Sequence, residues 1–211
     1  MNNFFNKIYI ISSYDTKNRL SELIPFLKNE GIDVEIVIAP KKEYFIPDFS
    51  KTCKSKGAFS HISAAESIFL KESFLKSDTF CIMEDDIFFA DDYINKLNLF
   101  FSKLSDDWEI LNLGFHEYNN FKSKTSNLFY KLKTEDRICG AHIVAYKNKT
   151  VPFLIDKLNI CEHPMDWFLC DHIYPNFNTY LCLDNIFYGS SYRENENNKH
   201  LYYKKYESSL L

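Results

Sequence analysis

The chain has 211 residues, 45% of them hydrophobic and 17% aromatic, with a formal net charge of −4 at pH 7. This is enough chain for a single domain with a sizeable core and too short for two full ones, and the composition excludes a disordered protein. Lys and Arg are scattered through a net negative chain, which excludes the concentrated basic face of a nucleic-acid binder.

The opening residues, MNNFFNKIYIISSYD, reach polar groups too early for a secretion signal and lack a small-residue cleavage site. Lys7 to Ser12 (KIYIIS) is a short run rich in β-branched and aromatic residues, hence a buried strand. In the following TKNRLSELIPFLKNEG, Leu20, Leu23, Ile24 and Leu27 recur at helical spacing and Gly31 supplies a stop. VEIVIAP is a second strand, ended by Pro40, so the first elements form a βαβ unit with a parallel strand pair. Ser60 to Lys76 predicts a helix that buries Ile62, Ala65, Ile68, Phe69 and Leu75, and TFCIM after it a third strand. A helix from about Asp92 carries Tyr93, Ile94, Leu97, Phe100, Phe101 and Leu104, with Asp91 and Asp92 suited to its N-terminus.

WEILNLG (Trp108 to Gly114) is a fourth strand. Periodicity then fails from Glu117 to Asn127, a stretch rich in Asn, Ser and Lys that reads as a mobile loop. GAHIVAY predicts a further strand and TVPFLIDKL a helix in which Pro152 is tolerable only in the first turn. HPMDWFLCDHIY reads as a short helix with polar residues at both ends, and TYLCLDNIFYGSS as one or two late strands before a polar tail from Arg193. The whole is one domain, residues 1–211, without repeats. The six cysteines form no C-x-x-C pair, several lie in apolar stretches as reduced buried thiols do, and no apolar run approaches a membrane span. A cytoplasmic protein is the expectation.

Chemistry concentrates where the third strand ends. FCIMEDDIFFADDY (Phe80 to Tyr93) runs straight from apolar residues into Glu84, Asp85 and Asp86. Neighbouring carboxylates repel and resist desolvation, so such a cluster calls for a cation. In an α/β sheet, ligands collect at the carboxyl ends of parallel strands. Carboxylates there suit Mn²⁺ or Mg²⁺, which bridge protein carboxylates to the oxygens of a phosphate or diphosphate. The plain alternative, a solvated turn that favours the next helix, leaves the triplet without a task, because Asp91 and Asp92 already serve that helix.

The order of motifs resembles glycosyltransferase family 25, the lipopolysaccharide and collagen sugar transferases of GT-A fold. IYIISSYDTKNRL and VEIVIAP stand where that family has its opening strand, basic loop and second strand. GAFSH (Gly57 to His61) matches a G-x-x-S-H helix start, and EDD, GAHIVAY and HPMDWFL match the strand end, the G-x-H strand and the P-x-D segment. The likeness covers roughly Lys7 to Ser191. It departs at Asn18-Arg19, where the family has an Arg pair, and at GSSYRE, where it has a late Ser-Asp.

The resemblance implies an α/β fold of GT-A type, a mixed, mostly parallel sheet flanked by helices. It implies a metal-dependent, inverting hexosyltransferase using Mn²⁺ or Mg²⁺ and a nucleotide-diphospho-sugar, with a UDP-hexose as the expected donor. The acceptor is a sugar or glycoconjugate hydroxyl, and a lipid-linked acceptor would bring peripheral membrane association with it. By analogy with the family's D-x-D motif, Asp86 is a metal ligand, Glu84 supports the metal or the ribose, and Asp85 faces the nucleotide or sugar. Ser12, Arg19 and His61 join Asp85 as nucleotide-sugar contacts, although Arg19 also reads as a solvated helix residue and His61 as a structural one. Asp166 is the catalytic-base candidate, with Trp167 beside it for a sugar face, Asp171 in reserve, and helix capping as the plain reading. His142 is read as ordering the strand beside Gly140, and a third metal ligand is sought in His172 or His200. The rival class is a nucleotide- or carbohydrate-binding scaffold that lost turnover; a metal-dependent phosphohydrolase is a third.

Overall fold

The computed structural model describes residues 1–14, 16–41, 56–116, 128–158, 163–184 and 186–189. The βαβ opening forms as its pattern predicts. Strand β1 (Lys7–Ser13) leads through a 3₁₀ turn (Lys17–Arg19) into helix α1 (Leu20–Asn29) and strand β2 (Glu35–Ala39), which pairs in parallel with β1. Gly31 ends α1 with φ +65°. Its N–H bonds the Lys28 carbonyl, while that of Ile32 reaches back to Leu27 at 2.8 Å, the paired bonds of a Schellman stop.

Helix α2 (Lys56–Leu75) begins a turn before Ser60, and strand β3 (Thr79–Glu84) follows, parallel to β1. Leu75, expected in the core, is 50% exposed, as the last residue of the helix. After the acidic triplet comes a three-residue strand, β4 (Ile87–Phe89), then helix α3 (Tyr93–Lys103) and strand β5 (Ile110–His116). Asp92 stands at the N-terminus of α3 as expected, but its side chain makes no cap bond and instead pairs with Lys96 at 3.2 Å. Strands β6 (Phe129–Lys131) and β7 (Cys139–Lys147) come next, then helices α4 (Val151–Leu158) and α5 (Met165–Phe168). A π-helical turn (Leu169–Ile173) and a 3₁₀ turn (Tyr174–Asn176) lead from α5 to strands β8 (Thr179–Cys182) and β9 (Phe187–Gly189). Pro152 falls in the first turn of α4, where no intrahelical N–H is lost. The segment 117–127 expected to be mobile, the tail from Arg193 and His200 lie outside the described residues.

Seven strands form one sheet in the order β2-β1-β3-β7-β5-β8-β6, and β4 pairs with β9 beside it. The pairings make β2, β1, β3, β5 and β8 run one way and β7 and β6 the other, a mixed, mostly parallel sheet. Strand alternation sends residues to two separate cores. Tyr9, Ile82, Val144 and Tyr146 pack with α2, α4 and α5, whereas Ile8, Met83, Ile143 and Ala145 pack with α1 and α3. Aromatic contacts knit the first core, with Phe80 stacked on Tyr146 at 5.2 Å and Phe69 edge-on to Tyr146 at 5.4 Å. Cys81, Cys170 and Cys182 are buried free thiols. Among the described residues no helix is long and apolar enough to cross a membrane.

Gly31 has open space where a side chain would sit, so its identity is set by backbone alone. Gly31→Ala is therefore expected to destabilise the fold by about 1–2 kcal/mol, the cost of a left-handed L-residue, in urea unfolding with an unchanged m-value.

Candidate active site at the carboxyl end of β3

β3 lies between β1 and β7, and their registers bring two different partners to its end. The β1 ladder pairs Ile11 with Glu84, so its next step sets Ser12 beside Asp85; the β7 ladder pairs Met83 with Ile143, so its next step sets His142 opposite Glu84. Alternation then divides the triplet. Glu84 follows Ile82 onto the face of α2 and α5, and Asp85 follows Met83 onto the face of α1.

On the first face His142, buried, lies with Nδ1 2.6 Å from Glu84 Oε2, and His61 of α2 lies with Nδ1 3.6 Å from Glu84 Oε1. Burial pushes the His142 imidazolium toward losing its proton. The hydrogen bond and charge of Glu84, with the charges of Asp86 and Asp166, outweigh that and hold its pKa above the ordinary value. Glu84, Asp86 and His142 each offer one ligand atom, and these atoms lie within 4.8 Å of one another.

On the second face Asp85 is buried and fully engaged. Ser12 Oγ and Thr16 Oγ1 each donate to its Oδ2 at 2.6 Å, and Arg19 Nη1 lies 3.2 Å from its Oδ1. The same Arg19 Nη1 lies 3.5 Å from Asp86 Oδ2. All the residues expected at the metal and nucleotide, Ser12, Arg19, His61, Glu84, Asp85 and Asp86, thus meet at one strand end. Thr16 is an addition that its place in a polar loop did not reveal.

Asp166, in the first turn of α5, accepts from the N–H of Gly140 at 3.1 Å and from that of Trp167 at 2.9 Å. It is tied to β7 two residues from His142. Asn112, a buried polar residue of β5, donates to the Gly140 carbonyl at 3.1 Å and to the Tyr174 hydroxyl at 3.0 Å. The ladder between β5 and β7 shifts register here, between Asn112 and His116, a bulge of the kind common beside active sites. Trp167 is 54% exposed. Asp171 faces Arg137 at 3.6 Å, and His172 sits on the π-helical turn with its ring beside Phe168; neither joins the acidic cluster.

No family model and no curated protein matches the chain. Among solved structures it is similar to a glycosyltransferase involved in the glycosylation of the major capsid of PBCV-1, at TM-score 0.54 and 8% identity, covering 89% of this chain and 94% of that one. The fold is GT-A-like. Two looser likenesses are to A197 from STIV, at TM-score 0.43 and 13% identity over 83% and 81% of the two chains, and to the inositol-1-phosphate CTP transferase from T. maritima, at 0.42 and 14% over 87% and 69%.

In this GT-A-like frame the donor set can be tested against a metal. Two carboxylates and an imidazole suit Mn²⁺ and related divalent ions. An octahedral ion with bonds of about 2.1 Å spaces its ligands by about 3.0–4.2 Å, so small rotations of the three side chains reach that geometry. The charges that raise the proton affinity of His142 would draw in a divalent cation by the same attraction. The residues fit.

β9 holds the imidazole in place. Gly189 pairs with Ile87, the residue after Asp86, and a Cβ on Gly189 would fall on the His142 ring, 2.6 Å from Nε2 and nearer still to Cε1 and Nδ1. Gly189→Ala is therefore expected to push His142 out of place and weaken Mn²⁺ binding by about tenfold or more, the scale seen when a ligand loses its support. Calorimetric titration of Mn²⁺ into both proteins checks this.

Proposed function

We propose that the protein is a metal-dependent glycosyltransferase of the family 25 type, which moves a hexose from a nucleotide-diphospho-sugar, with UDP as the expected nucleotide, to a hydroxyl of a sugar or glycoconjugate. The observation that carries this reading is the meeting of Glu84, Asp86 and His142 at the carboxyl end of β3, with Arg19 alongside, in a GT-A-like fold. Glu84, Asp86 and His142 would hold the ion, which when bound supplies positive charge against the leaving diphosphate. Arg19, at the first turn after β1, adds a planar guanidinium suited to phosphate oxygens. Ser12 and Asp85 stand on the nucleotide side in this reading, with Asp85 accepting from Ser12 and from Thr16. His61 reaches the same strand end from α2, beside Glu84.

Asp166 takes the acceptor proton in this reading. The acceptor oxygen bonds to the anomeric carbon as the bond to the diphosphate breaks on the opposite face, and the carboxylate receives the hydroxyl hydrogen. The N–H groups of Gly140 and Trp167 fix that carboxylate and leave it further lone pairs. Exposed Trp167 offers the apolar face on which an acceptor sugar ring stacks. One observation favours the rival, a binding scaffold without turnover: both oxygens of Asp166 already serve the backbone, as a purely structural cap would.

Two variants separate these readings. Asp86→Ala is expected to remove the Mn²⁺ dependence of UDP binding, at a cost of about 2–4 kcal/mol, with the fold intact by circular dichroism. Unchanged Mn²⁺-dependent binding would sink the assignment. Asp166→Asn should keep donor and Mn²⁺ binding while transfer falls about 10²-fold or more, in kcat more than in the donor KM. A scaffold gives no transfer from wild type with any UDP-, GDP-, ADP- or CMP-sugar, and no difference between Asp and Asn.

A further inference from the structure

Arg19 touches both halves of the divided triplet. Its Nη1 lies 3.2 Å from Asp85 Oδ1 and 3.5 Å from Asp86 Oδ2. The contact to Asp85 is built in. Asp85 is buried, and Ser12 and Thr16 fix its other oxygen at 2.6 Å each, so this carboxylate does not turn. The contact to Asp86 is of another kind. It is longer, it falls on a carboxylate that belongs to the ligand set with Glu84 and His142, and it is made by a side chain 27% exposed at the end of a short 3₁₀ turn. A guanidinium beside Asp86 supplies positive charge on the flank of the place where a divalent cation would add two more. Those like charges repel, and the repulsion is strongest where water is scarce.

We infer that Arg19 is an exchangeable counter-ion: without metal it neutralises Asp86, and when a divalent cation takes Asp86 it is displaced toward the donor diphosphate while Asp85 keeps it on a short tether. This rests on the reading of Glu84, Asp86 and His142 as the metal ligands, and it adds an order to binding that the reading alone does not contain. One cation serves two anions in turn, so metal and nucleotide bind in sequence, and a nucleoside diphosphate without metal meets an arginine already occupied. The arrangement also assigns Asp85 a role apart from ligand contact. It is a positioning residue that keeps the guanidinium within reach of both places.

The consequence is a pair of effects of opposite sign from one substitution. Arg19→Gln removes the competing charge, so Mn²⁺ alone should bind about threefold or more tighter than to wild type. The same variant loses its phosphate contact, so UDP in saturating Mn²⁺ should bind about tenfold more weakly. Arg19→Lys keeps the charge on a shorter stem with a more strongly hydrated head, which holds Asp86 less closely, so it should fall between wild type and the Gln variant in Mn²⁺ affinity.

The experiment is calorimetric titration of Mn²⁺, then of UDP in excess Mn²⁺, into wild type and both variants, with circular dichroism to verify folding. Tighter Mn²⁺ with weaker UDP supports the exchange. Equal or weaker Mn²⁺ binding by Arg19→Gln overturns it while leaving the metal site standing, as does unchanged UDP affinity. Should the Gln variant not fold, Arg19→Lys decides alone: Mn²⁺ binding no tighter than wild type overturns the exchange. Wild type that binds no Mn²⁺ overturns both the exchange and the metal reading beneath it.

Discussion

Three consecutive carboxylates at the end of a strand repel one another, and the geometry of the strand determines how that repulsion is handled. Successive side chains leave a strand on opposite faces, so Glu84 and Asp85 are parted by the sheet itself, and each meets different partners. Glu84 finds two imidazoles, His142 and His61; Asp85 finds two hydroxyls and a guanidinium. Because β3 is flanked by β1 and β7, each carboxylate takes one partner from a neighbouring ladder, Ser12 for Asp85 and His142 for Glu84, while Thr16 and Arg19 come from the turn after β1 and His61 from α2. A sheet in which β3 lay at the edge would deprive one of the two carboxylates of its strand-borne partner. The strand order is therefore a condition of the site as much as of the core.

The antiparallel direction of β7 matters for the same reason. The strand starts at the end of the sheet where β3 finishes, so the residues near its beginning, Gly140 and His142, face the acidic cluster. Its start is pinned from both sides: Asp166 takes the Gly140 N–H, and Asn112 donates to the Gly140 carbonyl. Asn112 is wholly buried, and its oxygen in turn accepts from the Gly114 N–H at 3.2 Å, so the bulge of β5 is satisfied by the side chain that also steadies β7. On the far side, Gly189 leaves room for the imidazole that a methyl group would expel. His142 is thus positioned by contacts from β5, α5 and β9 that bear on it through backbone and ring packing.

Much of this could be read in the sequence, and the parts that could be read share a physical cause. Helices α1 to α4 repeat their apolar residues every three or four positions, and the strands β1, β2, β3, β5 and β7 are long enough to stand out as apolar runs. The triplet was visible because charge beside an apolar run is unusual, and Ser12, Arg19 and His61 because they matched motifs in order. Strands β4 and β6 have three residues each, too few to show any period. The sequence offers His172 or His200 as a third ligand, whereas among the described residues it is His142 that lies beside Glu84 and Asp86. Its place depends on the pairing of β3 with β7, a contact between segments far apart in the chain. The signal was nonetheless present in GAHIVAY, where His142 alternates with Val144 and Tyr146 and so shares their buried face. A polar residue in that register needs a partner, and the acidic strand end was the place to look.

The two bonds of Asp166 set how its chemistry can be interpreted. A carboxylate held by the N–H groups of Gly140 and Trp167, one on each oxygen, is well oriented. In the proposed reading a base for an acceptor hydroxyl gains from that orientation, because the oxygen that takes the proton is already aimed. The same bonds make Asp166 a support for β7, two residues from His142. An amide in its place can still accept through one oxygen but presents an NH₂ group to the other N–H, so an effect through strand position has to be told apart from loss of the proton acceptor. Metal affinity separates the two contributions: a shifted β7 carries His142 with it and weakens Mn²⁺ binding, whereas loss of a proton acceptor leaves the ion's site as it was.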